Sequence, residues 1–442
     1  MLRFSLADDK RRKSRKPAPL PTHFPNMLNI RIAPVYKDAW ALPTVGSGAP
    51  LESRPHNGNR MSQKHDITAT GRSSQNSAAC AWESFFHRPP LVLDRAKAVS
   101  SLAGKRILIT GAGGWIGSAL TKAIVGFAPQ HLVLLEAAER SLYEIDAAVQ
   151  QSPTPIRHTS IVGSIADPAL LADIFHRYRP QVIYHVAAFK HVPLMEQNPF
   201  AAIGNNTIGT SLLAQAAAMH NAEQLILVST DKAVDPASMM GASKRIAELI
   251  LLGKRETATR MKAVRLGNVF GSEGSIVPIF RQQILSGGPV TVTHPDVRRY
   301  FLTTEDAVTL LLLASSAEMA QGILVPELGE PVPVQAVARH LIAREHSQAA
   351  IIFTQLRPGD KLSEALFSGC ESYVGAAGSL LRSVCSPALS TALLDDVLTQ
   401  LQQACQSRSV TRLLAAVMRA VPGYQPSAVI QSALAAGDEP TL

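Results

Sequence analysis

The sequence predicts an α/β fold, a Rossmann-type doubly wound parallel sheet with a smaller C-terminal lobe. Three observations support this prediction. Short apolar runs alternate with amphipathic segments of helical length, a glycine-rich turn follows the first run, and the alternation loosens after Gly267. Continuous apolar runs separated by helices are typical of a parallel sheet covered on both faces. Right-handed crossovers then produce the doubly wound strand order.

The alternation can be followed along the chain. The predicted strands are Ile107–Thr110, Leu132–Leu135, Ile156–Val162, Val182–Val186, Leu225–Ser229 and Ala263–Leu266. The predicted helices cover residues 115–126, 139–150, 167–178, 199–220 and 238–256. Residues 271–370 carry Gly/Pro-rich loops and short elements, which indicate a smaller lobe over the carboxyl edge of the sheet. Residues 371–442 are predicted to be a helical segment that closes the chain.

Charge is distributed unevenly. The net charge of +9 comes almost entirely from residues 1–80, which hold 13 Lys/Arg and 5 Asp/Glu, whereas the other residues hold 30 and 29. Residues 1–84 are rich in Pro, Ser, Asn, Arg and His without periodicity, so we predict a basic disordered tail there. The nearly neutral remainder indicates no nucleic-acid partner.

Two further classes of protein are disfavoured by the sequence. No stretch of 18 apolar residues is present, so no membrane span is expected, and the N-terminus lacks the apolar core of a signal peptide. The four cysteines, Cys80, Cys370, Cys385 and Cys405, do not have metal-ligand spacing. We therefore expect reduced thiols and no metal site.

A dinucleotide-binding turn follows the first predicted strand. Gly111 allows the tight turn, Gly114 allows the backbone to approach a pyrophosphate, and Gly117 allows close packing of helix on strand. Glu136 ends the second strand, where a carboxylate accepts hydrogen bonds from a ribose 2′-hydroxyl and favours NAD. Arg140 lies close enough in sequence to keep NADP as an alternative. Residues 85–270 are accordingly predicted to be an NAD(P)-binding Rossmann domain.

Eight segments together resemble one known family. They are RPPLVLD (88–94), TGAGGWIGSAL (110–120), HVAAFKHVPLME (185–196), NNTIGT (205–210), VSTDKAVDPASMMGASKRIAE (228–248), VRLGNVFGSEGSIVPIF (264–280), VTHPDVRRYFLT (292–303) and LRPGDKLSE (356–364). From about residue 85 to residue 430 the chain resembles the nucleotide-sugar 4,6-dehydratases of bacterial polysaccharide biosynthesis, the CapD-like branch of the extended short-chain dehydrogenases. The resemblance implies a UDP-sugar substrate, a homo-oligomer and a cytoplasmic location, peripheral at the inner membrane as an alternative.

The resemblance also implies a set of catalytic residues. A 4,6-dehydratase must remove hydride from sugar C4, take a proton from C5, expel the C6 hydroxyl as water and return hydride to C6. Asp231 matches the acid for the C6 hydroxyl, Lys232 the base for C5, and Lys244 the lysine that holds the nicotinamide ribose. These roles need a raised pKa for Asp231 and a lowered pKa for Lys232, although a direct ion pair between them would oppose this and couple their titration. Met240 stands where the family usually has the tyrosine base, and Thr230 is the nearest replacement.

The remaining binding residues are implied in the same way. The cofactor site would also include Trp115, Ile116, Ser164, Ile165, Ala187, Ala188, Lys190 and Asn206. The substrate site in the lobe would include His191, Asn268, Ser275, Val277, Arg299, Arg357, Asp360 and Glu364. Guanidinium groups suit a diphosphate because they bond two oxygens in fixed geometry.

Three departures from the family pattern keep alternatives open. Ser164 stands where an aspartate usually meets adenine, and Trp115 is a bulky residue that either crowds the cofactor or lies against the protein. The methionine-bearing branch normally has membrane helices before this region, so we expect this chain to be the catalytic domain alone. The alternatives to a dehydratase are a nucleotide-sugar 4-epimerase, which needs only C4 redox chemistry, and an inactive NAD(P)-binding regulatory protein.

Overall fold

The computed structural model describes Trp82, Phe85, Arg88 and residues 91–253, 257–317, 321–374 and 380–436. The predicted basic tail lies outside these residues except for Trp82, and so does Cys80. All the described residues belong to one compact unit within Ala69–Leu442.

In the part of the chain that the structure describes, nine strands form the main sheet. They are β1 (Arg106–Thr110), β2 (His131–Glu136), β3 (His158–Val162), β4 (Val182–His185), β5 (Gln224–Thr230), β6 (Arg260–Leu266), β11 (Gln321–Pro326), β14 (Ser372–Val374) and β15 (Leu381–Cys385). Their order is β14-β15-β11-β6-β5-β4-β1-β2-β3. The seven strands from β11 to β3 are parallel, whereas β15 and β14 are added antiparallel at one edge. This confirms the predicted α/β doubly wound fold.

Helices cover both faces of the sheet. They are α1 (Arg95–Leu102), α2 (Trp115–Val125), α3 (Glu139–Gln150), α4 (Pro168–Tyr178), α5 (Val192–Gln197), α6 (Pro199–Ala202), α7 (Thr210–Met219), α8 (Met239–Gly253), α9 (Ile276–Leu285), α10 (Thr304–Ser316), α11 (Val334–Arg344), α12 (Thr391–Ser407), α13 (Val410–Ala420) and α14 (Ala428–Ala435). Local chemistry explains several of their starts. Asp167 accepts hydrogen bonds from two backbone N–H groups at the start of α4, and Thr303 and Asp306 form a capping box at α10.

The strand order reverses between β1 and β4, which places a crevice at their carboxyl ends. β1 pairs with β2 on one side and with β4 on the other. In doubly wound sheets ligands bind in the crevice at this switch point. Gly111 follows β1 directly there, so the glycine-rich turn opens into the crevice.

A second, smaller hydrophobic core defines the lobe. It joins α9 and α11 with the short strands β8 (Val290–Val292) and β13 (Ile351–Phe353), which pair with each other. Two more short pairs complete the lobe: β7 (Asn268–Val269) with β10 (Phe301–Leu302), and β9 (Arg298–Arg299) with β12 (Val332–Pro333). The lobe is not continuous in sequence, because α10 and β11 return to the main sheet between its elements.

Three sequence-based expectations need correction. Residues 372–374 and 381–385 lie in the segment predicted to be helical, yet they form β14 and β15. The predicted helix 199–220 is interrupted by a π-helical turn over Ile203–Gly209. Trp82 lies within the predicted disordered tail but is only 7% exposed, because its ring stacks on Phe270 in the second core.

No helix among the described residues is long and apolar enough to cross a bilayer. The same residues contain no cluster of three or more His, Cys, Asp or Glu side chains suited to a metal ion.

Candidate active site

Backbone crowding explains the glycines of the turn after β1. Gly111 has φ +69°, and a Cβ atom there would lie 2.6 Å from the backbone nitrogen of Ala187. A Cβ atom on Gly117 would overlap the carbonyl oxygen of Gly111. Helix α2 can therefore begin directly against the turn, with Gly114 at its N-cap. The helix N-terminus faces the crevice with free N–H groups, which is the geometry that accepts a pyrophosphate.

Glu136 lies at the end of β2 and faces this turn. Its Oε2 accepts a hydrogen bond from Gly113 N at 3.0 Å, and its Oε1 accepts bonds from Ala137 N at 2.9 Å and Ala138 N at 3.1 Å. The carboxylate is thus fixed beside the glycine-rich turn with acceptor capacity remaining. Arg140, in contrast, pairs with Glu144 at 3.0 Å on the surface, and its side chain is 91% exposed.

The other residues predicted for the cofactor surround the same crevice. Ala187 and Ala188 follow β4, and Phe189 N donates to Asn206 Oδ1 at 2.8 Å, so the π-helical turn holds this loop in place. Ile165 is buried and contacts Gly209. Ser164 Oγ accepts from Ala166 N at 3.1 Å, and Ile116 packs against the main core.

The indole of Trp115 packs against other residues of the protein at the border of the crevice. Its Nε1 donates to Thr304 Oγ1 at 2.9 Å. The six-membered ring lies against Gly271, where a Cβ atom would be 2.7 Å from Cζ2. The indole is nevertheless 43% exposed. It therefore connects the first turn of α2 with α10 and with the loop that follows β7.

The predicted catalytic pair is brought together at the end of β5. Asp231 Oδ1 accepts a hydrogen bond from Lys232 Nζ at 2.9 Å and another from Thr230 Oγ1 at 2.9 Å. Lys232 Nζ also donates to Asn268 Oδ1 at 3.0 Å. The Asp231 side chain is fully buried, and its Oδ2 has no hydrogen-bond partner among the described residues. A one-turn 3-10 helix over Asp231–Ala233 follows β5, and from it Lys232 reaches Asn268 in the lobe.

Electrostatics support one predicted pKa shift and contradict the other. Burial raises the pKa of Asp231, although Lys232 opposes this shift. Burial lowers the pKa of Lys232, but Asp231 and Glu364 outweigh it, so the net pKa of Lys232 is raised. The predicted lowering of the Lys232 pKa is therefore wrong, because two carboxylates face the ammonium group.

Glu364 links this pair to the lobe. Its Oε1 lies 3.8 Å from Lys232 Nζ and 3.9 Å from Arg299 Nε, and its Oε2 lies 3.3 Å from Lys361 Nζ. Both Glu364 and Arg299 are buried. Burial raises the pKa of Glu364, but these three cations outweigh it and the net pKa is lowered. Glu364 is thus a buried carboxylate among three cations, one of which is Arg299.

The other residues predicted for the substrate are spread along the lobe. Arg357 pairs with Asp360 at 2.8 Å on an exposed loop, and its charge contributes to lowering the pKa of His191, after burial and Lys190. The hydroxyl of Ser275, at the N-cap of α9, is buried and has no partner among the described residues. The Val277 side chain packs in the second core.

Helix α8 brings Lys244 and Met240 to the same edge. Gly241 permits this approach, because a Cβ atom there would overlap the carbonyl oxygen of Lys232. Met240 is buried and offers only a thioether. Burial lowers the pKa of Lys244 to about 8, although Glu248 opposes the shift. Within the described residues the structure shows no hydrogen-bond or ion-pair partner for Lys244 Nζ.

The histidine that ends β4 has a structural role. His185 Nδ1 lies 2.8 Å from Thr110 Oγ1, and Nε2 lies 2.9 Å from Thr210 Oγ1. The residue is fully buried, and burial lowers its pKa to about 3. It therefore remains a neutral side chain beneath the crevice, hydrogen-bonded at both ring nitrogens.

Three residues that hold other residues of the candidate site in place were not predicted from the sequence. Lys361 bonds Glu364 and donates to Val234 O at 2.7 Å, Thr304 bonds Trp115, and Ser243 accepts from Asn206 at 3.0 Å. Lys361 and Ser243 lie inside segments that were singled out, LRPGDKLSE and GASK, so their position was a usable signal. Thr304 lies one residue past VTHPDVRRYFLT, and the sequence gave no signal of its role.

Three features occur together: a dinucleotide crevice, the run Thr230-Asp231-Lys232 at the end of β5, and Lys244 on α8. They define an extended short-chain dehydrogenase of the nucleotide-sugar type. The family described as "Polysaccharide biosynthesis protein" matches residues 107–378, and the chain belongs to this CapD-like family. It is 42% identical over 292 residues to the probable polysaccharide biosynthesis protein EpsC of Bacillus subtilis, covering 65% of this chain and 49% of EpsC. It is 38% identical over 315 residues to the capsular polysaccharide biosynthesis protein CapD of Staphylococcus aureus, covering 70% of this chain and 53% of CapD.

The chain spans about half the length of these two relatives. Among solved structures, it is similar to DesIV from Streptomyces venezuelae, a dTDP-glucose 4,6-dehydratase solved with NAD bound. The TM-score is 0.54 at 22% identity, covering 60% of this chain and 88% of DesIV. At this identity the likeness shows the shared fold.

Proposed function

We propose that the protein is an NAD-dependent 4,6-dehydratase of a UDP-N-acetylhexosamine that serves bacterial surface polysaccharide synthesis. The observation that carries the proposal is the Asp231–Lys232 ion pair at the carboxyl end of β5, in which 2.9 Å separates Lys232 Nζ from a fully buried carboxylate. An enzyme limited to C4 redox chemistry has no use for a buried acid bonded to an amine at this place. Elimination of water needs both, one to protonate the leaving hydroxyl and one to take the C5 proton.

The crevice fits a nicotinamide dinucleotide. The close packing of the turn at Gly111–Gly117 brings the N-terminus of α2 to the crevice, and Glu136 beside it offers a ribose acceptor. Lys244 Nζ has no hydrogen-bond or ion-pair partner in the part of the chain that the structure describes. When bound, the nicotinamide would accept hydride from sugar C4 and return it at C6. Glu136 favours NAD because a carboxylate repels the 2′-phosphate of NADP. Arg140, which pairs with Glu144, offers NADP little support.

The Asp231–Lys232 pair carries one proton, and this proton serves both the acid role and the base role. In the ion pair the proton resides on Lys232, and moving it to Asp231 Oδ1 produces a neutral acid and a neutral amine. A buried, poorly solvated environment reduces the cost of that transfer, because it disfavours both charged forms. Neutral Lys232 then takes the C5 proton, and Asp231 donates to the C6 hydroxyl, which leaves as water.

Thr230 takes the place of the missing tyrosine in this proposal. Its hydroxyl would take the C4 hydroxyl proton and pass its own proton through a water to solvent, because Asp231 Oδ1, to which it donates at 2.9 Å, must hold the proton that goes to the C6 hydroxyl. Met240 cannot accept a proton and contributes packing. Lys244 remains charged below pH about 8 and would favour deprotonation of a nearby hydroxyl.

The substrate's nucleotide would bind between the sheet edge and the lobe. Arg299 and Arg357 supply guanidinium groups for a diphosphate, and Ser275 adds a hydroxyl at the N-terminus of α9. Asn268, which accepts from Lys232, would orient the amine toward the sugar.

Incubation with UDP-N-acetylglucosamine and NAD⁺, followed by proton NMR of the product, tests the proposal. A UDP-linked 4-keto-6-deoxy sugar supports it. UDP-N-acetylgalactosamine would identify a 4-epimerase instead. Binding of NAD⁺ without turnover of any UDP-N-acetylhexosamine would identify a regulatory protein.

A further inference from the structure

The loop that joins β7 to α9, residues 270–275, is held by residues from the first turn of α2 and from the loop after β4. Three of its residues are contacted in this way. Gly271 lies under the Trp115 indole, Glu273 O accepts from Lys190 Nζ at 2.9 Å, and Gly274 lies against the His191 ring. The loop ends at Ser275, the N-cap of α9. Its position therefore depends on two segments that border the dinucleotide crevice.

Trp115 is the contact that reaches furthest. It is the first residue of α2, directly after Gly114, so its backbone belongs to the N–H groups that would face a pyrophosphate. Its side chain ends 2.9 Å from Thr304 Oγ1, at the start of α10, and against Gly271 in the loop of the lobe. Gly271 has φ +78° and would clash with the indole if it carried a Cβ atom. The indole, the glycine and the threonine therefore fit together as one contact.

Loss of the indole would leave this contact empty. A small residue at position 115 cannot reach Thr304 or cover Gly271, so of the three contacts named above those of Lys190 and His191 would remain. Both of those residues are exposed at their own loop after β4. The first turn of α2 would no longer be in contact with the start of the lobe.

We infer that Trp115 is a positioning residue that couples dinucleotide binding to nucleotide-sugar binding, through its contact with Thr304 and Gly271. The inference rests on the proposed function, because it takes the crevice as the dinucleotide site and the loop at Ser275 as part of the UDP site. Ordering of the first turn of α2 by the dinucleotide fixes the indole, and the indole fixes the loop. By linkage, UDP must in turn strengthen dinucleotide binding by the same factor.

Isothermal titration calorimetry with UDP as the probe, with and without saturating NAD⁺, measures this coupling without turnover. The wild-type affinity for UDP should rise by about fivefold or more when NAD⁺ is bound. Thr304→Val removes the hydrogen bond from Trp115 and the bond from Thr304 Oγ1 to Phe270 O at 3.5 Å, and Trp115→Phe removes the first bond and part of the ring that covers Gly271. Each variant should reduce the coupling to roughly twofold. The double variant should lower it by less than the two single effects combined, because both substitutions break the bond between Trp115 and Thr304. Trp115→Ala should abolish the coupling.

Phe353→Ala is the matched control, since Phe353 is a similarly exposed aromatic residue at 47% on β13 and takes no part in the contact. Its coupling should equal that of the wild type. Equal coupling in the wild type and in Trp115→Ala would overturn the inference and leave the proposed function intact. Absence of NAD⁺ and UDP binding in the wild type would overturn both. Thr304→Val tests the same contact if Trp115→Ala fails to fold.

Discussion

Asp231 and Lys232 are neighbours in sequence and form an ion pair, with 2.9 Å between Asp231 Oδ1 and Lys232 Nζ. The carboxylate is fully buried, whereas the lysine side chain is 21% exposed. The amine therefore borders the open side of the site, and the acid lies behind it. This arrangement lets the amine meet the sugar ring first and lets Asp231 exchange a proton with it.

Replacement of Lys232 tests this arrangement. Lys232→Ala should block exchange of the C5 proton with solvent, because no other amine contacts Asp231 in the described residues. We expect kcat to fall by about 10²- to 10⁴-fold. NAD⁺ affinity should be unchanged, since Lys232 lies outside the glycine-rich turn. Deuterium incorporation at C5, followed by mass spectrometry in D₂O, measures the exchange.

The control for this substitution is Lys97→Ala, because Lys97 is a surface residue whose side chain is 72% exposed. It should leave exchange and turnover unchanged. Wild-type rates of exchange in Lys232→Ala would refute the assigned role of the amine.

The dependence of kcat on pH should reflect the single proton shared by the pair. Activity is lost on the acid side when both groups are protonated and on the alkaline side when both are deprotonated. Glu364 raises the pKa of Asp231 and also that of Lys232. Glu364→Gln should therefore move both limbs of the profile to lower pH. A purely structural role for Glu364 would lower the rate and leave the limbs in place.

Glu345→Gln provides the comparison for the pH profile. Glu345 is paired with Arg281 at 3.1 Å in the lobe, and no shift of either limb is expected. Limbs that stay fixed in Glu364→Gln would mean that the carboxylate does not act on the pair.

The main elements were predictable because buried parallel strands leave a strong signal. β1, β2 and β5 each contain an uninterrupted apolar run followed by a turn, and these three strands and β6 lie within a few residues of their predicted bounds. β14 and β15 gave no such signal. They are short antiparallel edge strands with polar residues, SYV and LRSVC, and their burial is only partial.

The pairing of Asp231 with Lys232 could be predicted from the sequence, whereas the direction of the pKa shift of Lys232 could not. Adjacent residues such as Asp231 and Lys232 stay together whatever the fold, so their pairing could be anticipated. The contact of Lys232 with Glu364 joins residues that are far apart in sequence, and it adds to the effect of Asp231 in raising the pKa of Lys232 against burial. Only the folded chain reveals such a contact.

Close packing at the glycine-rich turn predicts a strong effect of one methyl group. Gly117→Ala should lower the free energy of unfolding by about 1–3 kcal/mol, because the added Cβ overlaps the carbonyl oxygen of Gly111. NAD⁺ binding should weaken as α2 moves away from the turn. Thermal unfolding and NAD⁺ titration together measure the two effects.

Gly204→Ala is the matched control, since a Cβ atom on Gly204 would have nothing within 4 Å. It should leave NAD⁺ binding unchanged and should not destabilise the fold, because alanine loses less backbone entropy than glycine. Equal loss of stability in both variants would contradict the packing argument.

A buried ion network connects the C-terminal segment to the sheet. Arg265 on β6 donates to Glu248 on α8 twice at 2.9 Å, and to Glu371 at 2.7 Å and 2.9 Å. All three side chains are essentially inaccessible to solvent. Ser229 and Arg245 add further hydrogen bonds to Glu248. Removal of one charge therefore leaves the others without compensation.

Arg265→Met should lower the free energy of unfolding by about 3–5 kcal/mol, because the two buried carboxylates then share a single cation, Arg245, at 2.9 Å from Glu248 and 3.5 Å from Glu371. The triple variant with Glu248→Gln and Glu371→Gln should recover part of this loss. Glu144→Gln, in an exposed pair with Arg140, should change the free energy of unfolding by less than ~1 kcal/mol. Urea unfolding at neutral pH gives the values, and an Arg265→Met protein as stable as Glu144→Gln would show that the network contributes little.

The same network should dominate the loss of stability in acid. Burial would raise the pKa of Glu248, but Arg265 and the hydrogen bonds outweigh burial and lower it to about 2. A carboxyl with a lowered pKa in the folded state stabilises the fold above its unfolded value, near 4.5, and loses that contribution as the pH falls toward 2. For Glu248 this contribution is about 3 kcal/mol. Urea unfolding between pH 5 and pH 2 should therefore show a steep decline in the wild type and a shallower one in Glu248→Gln, and parallel curves for the two proteins would assign the acid sensitivity to other carboxylates.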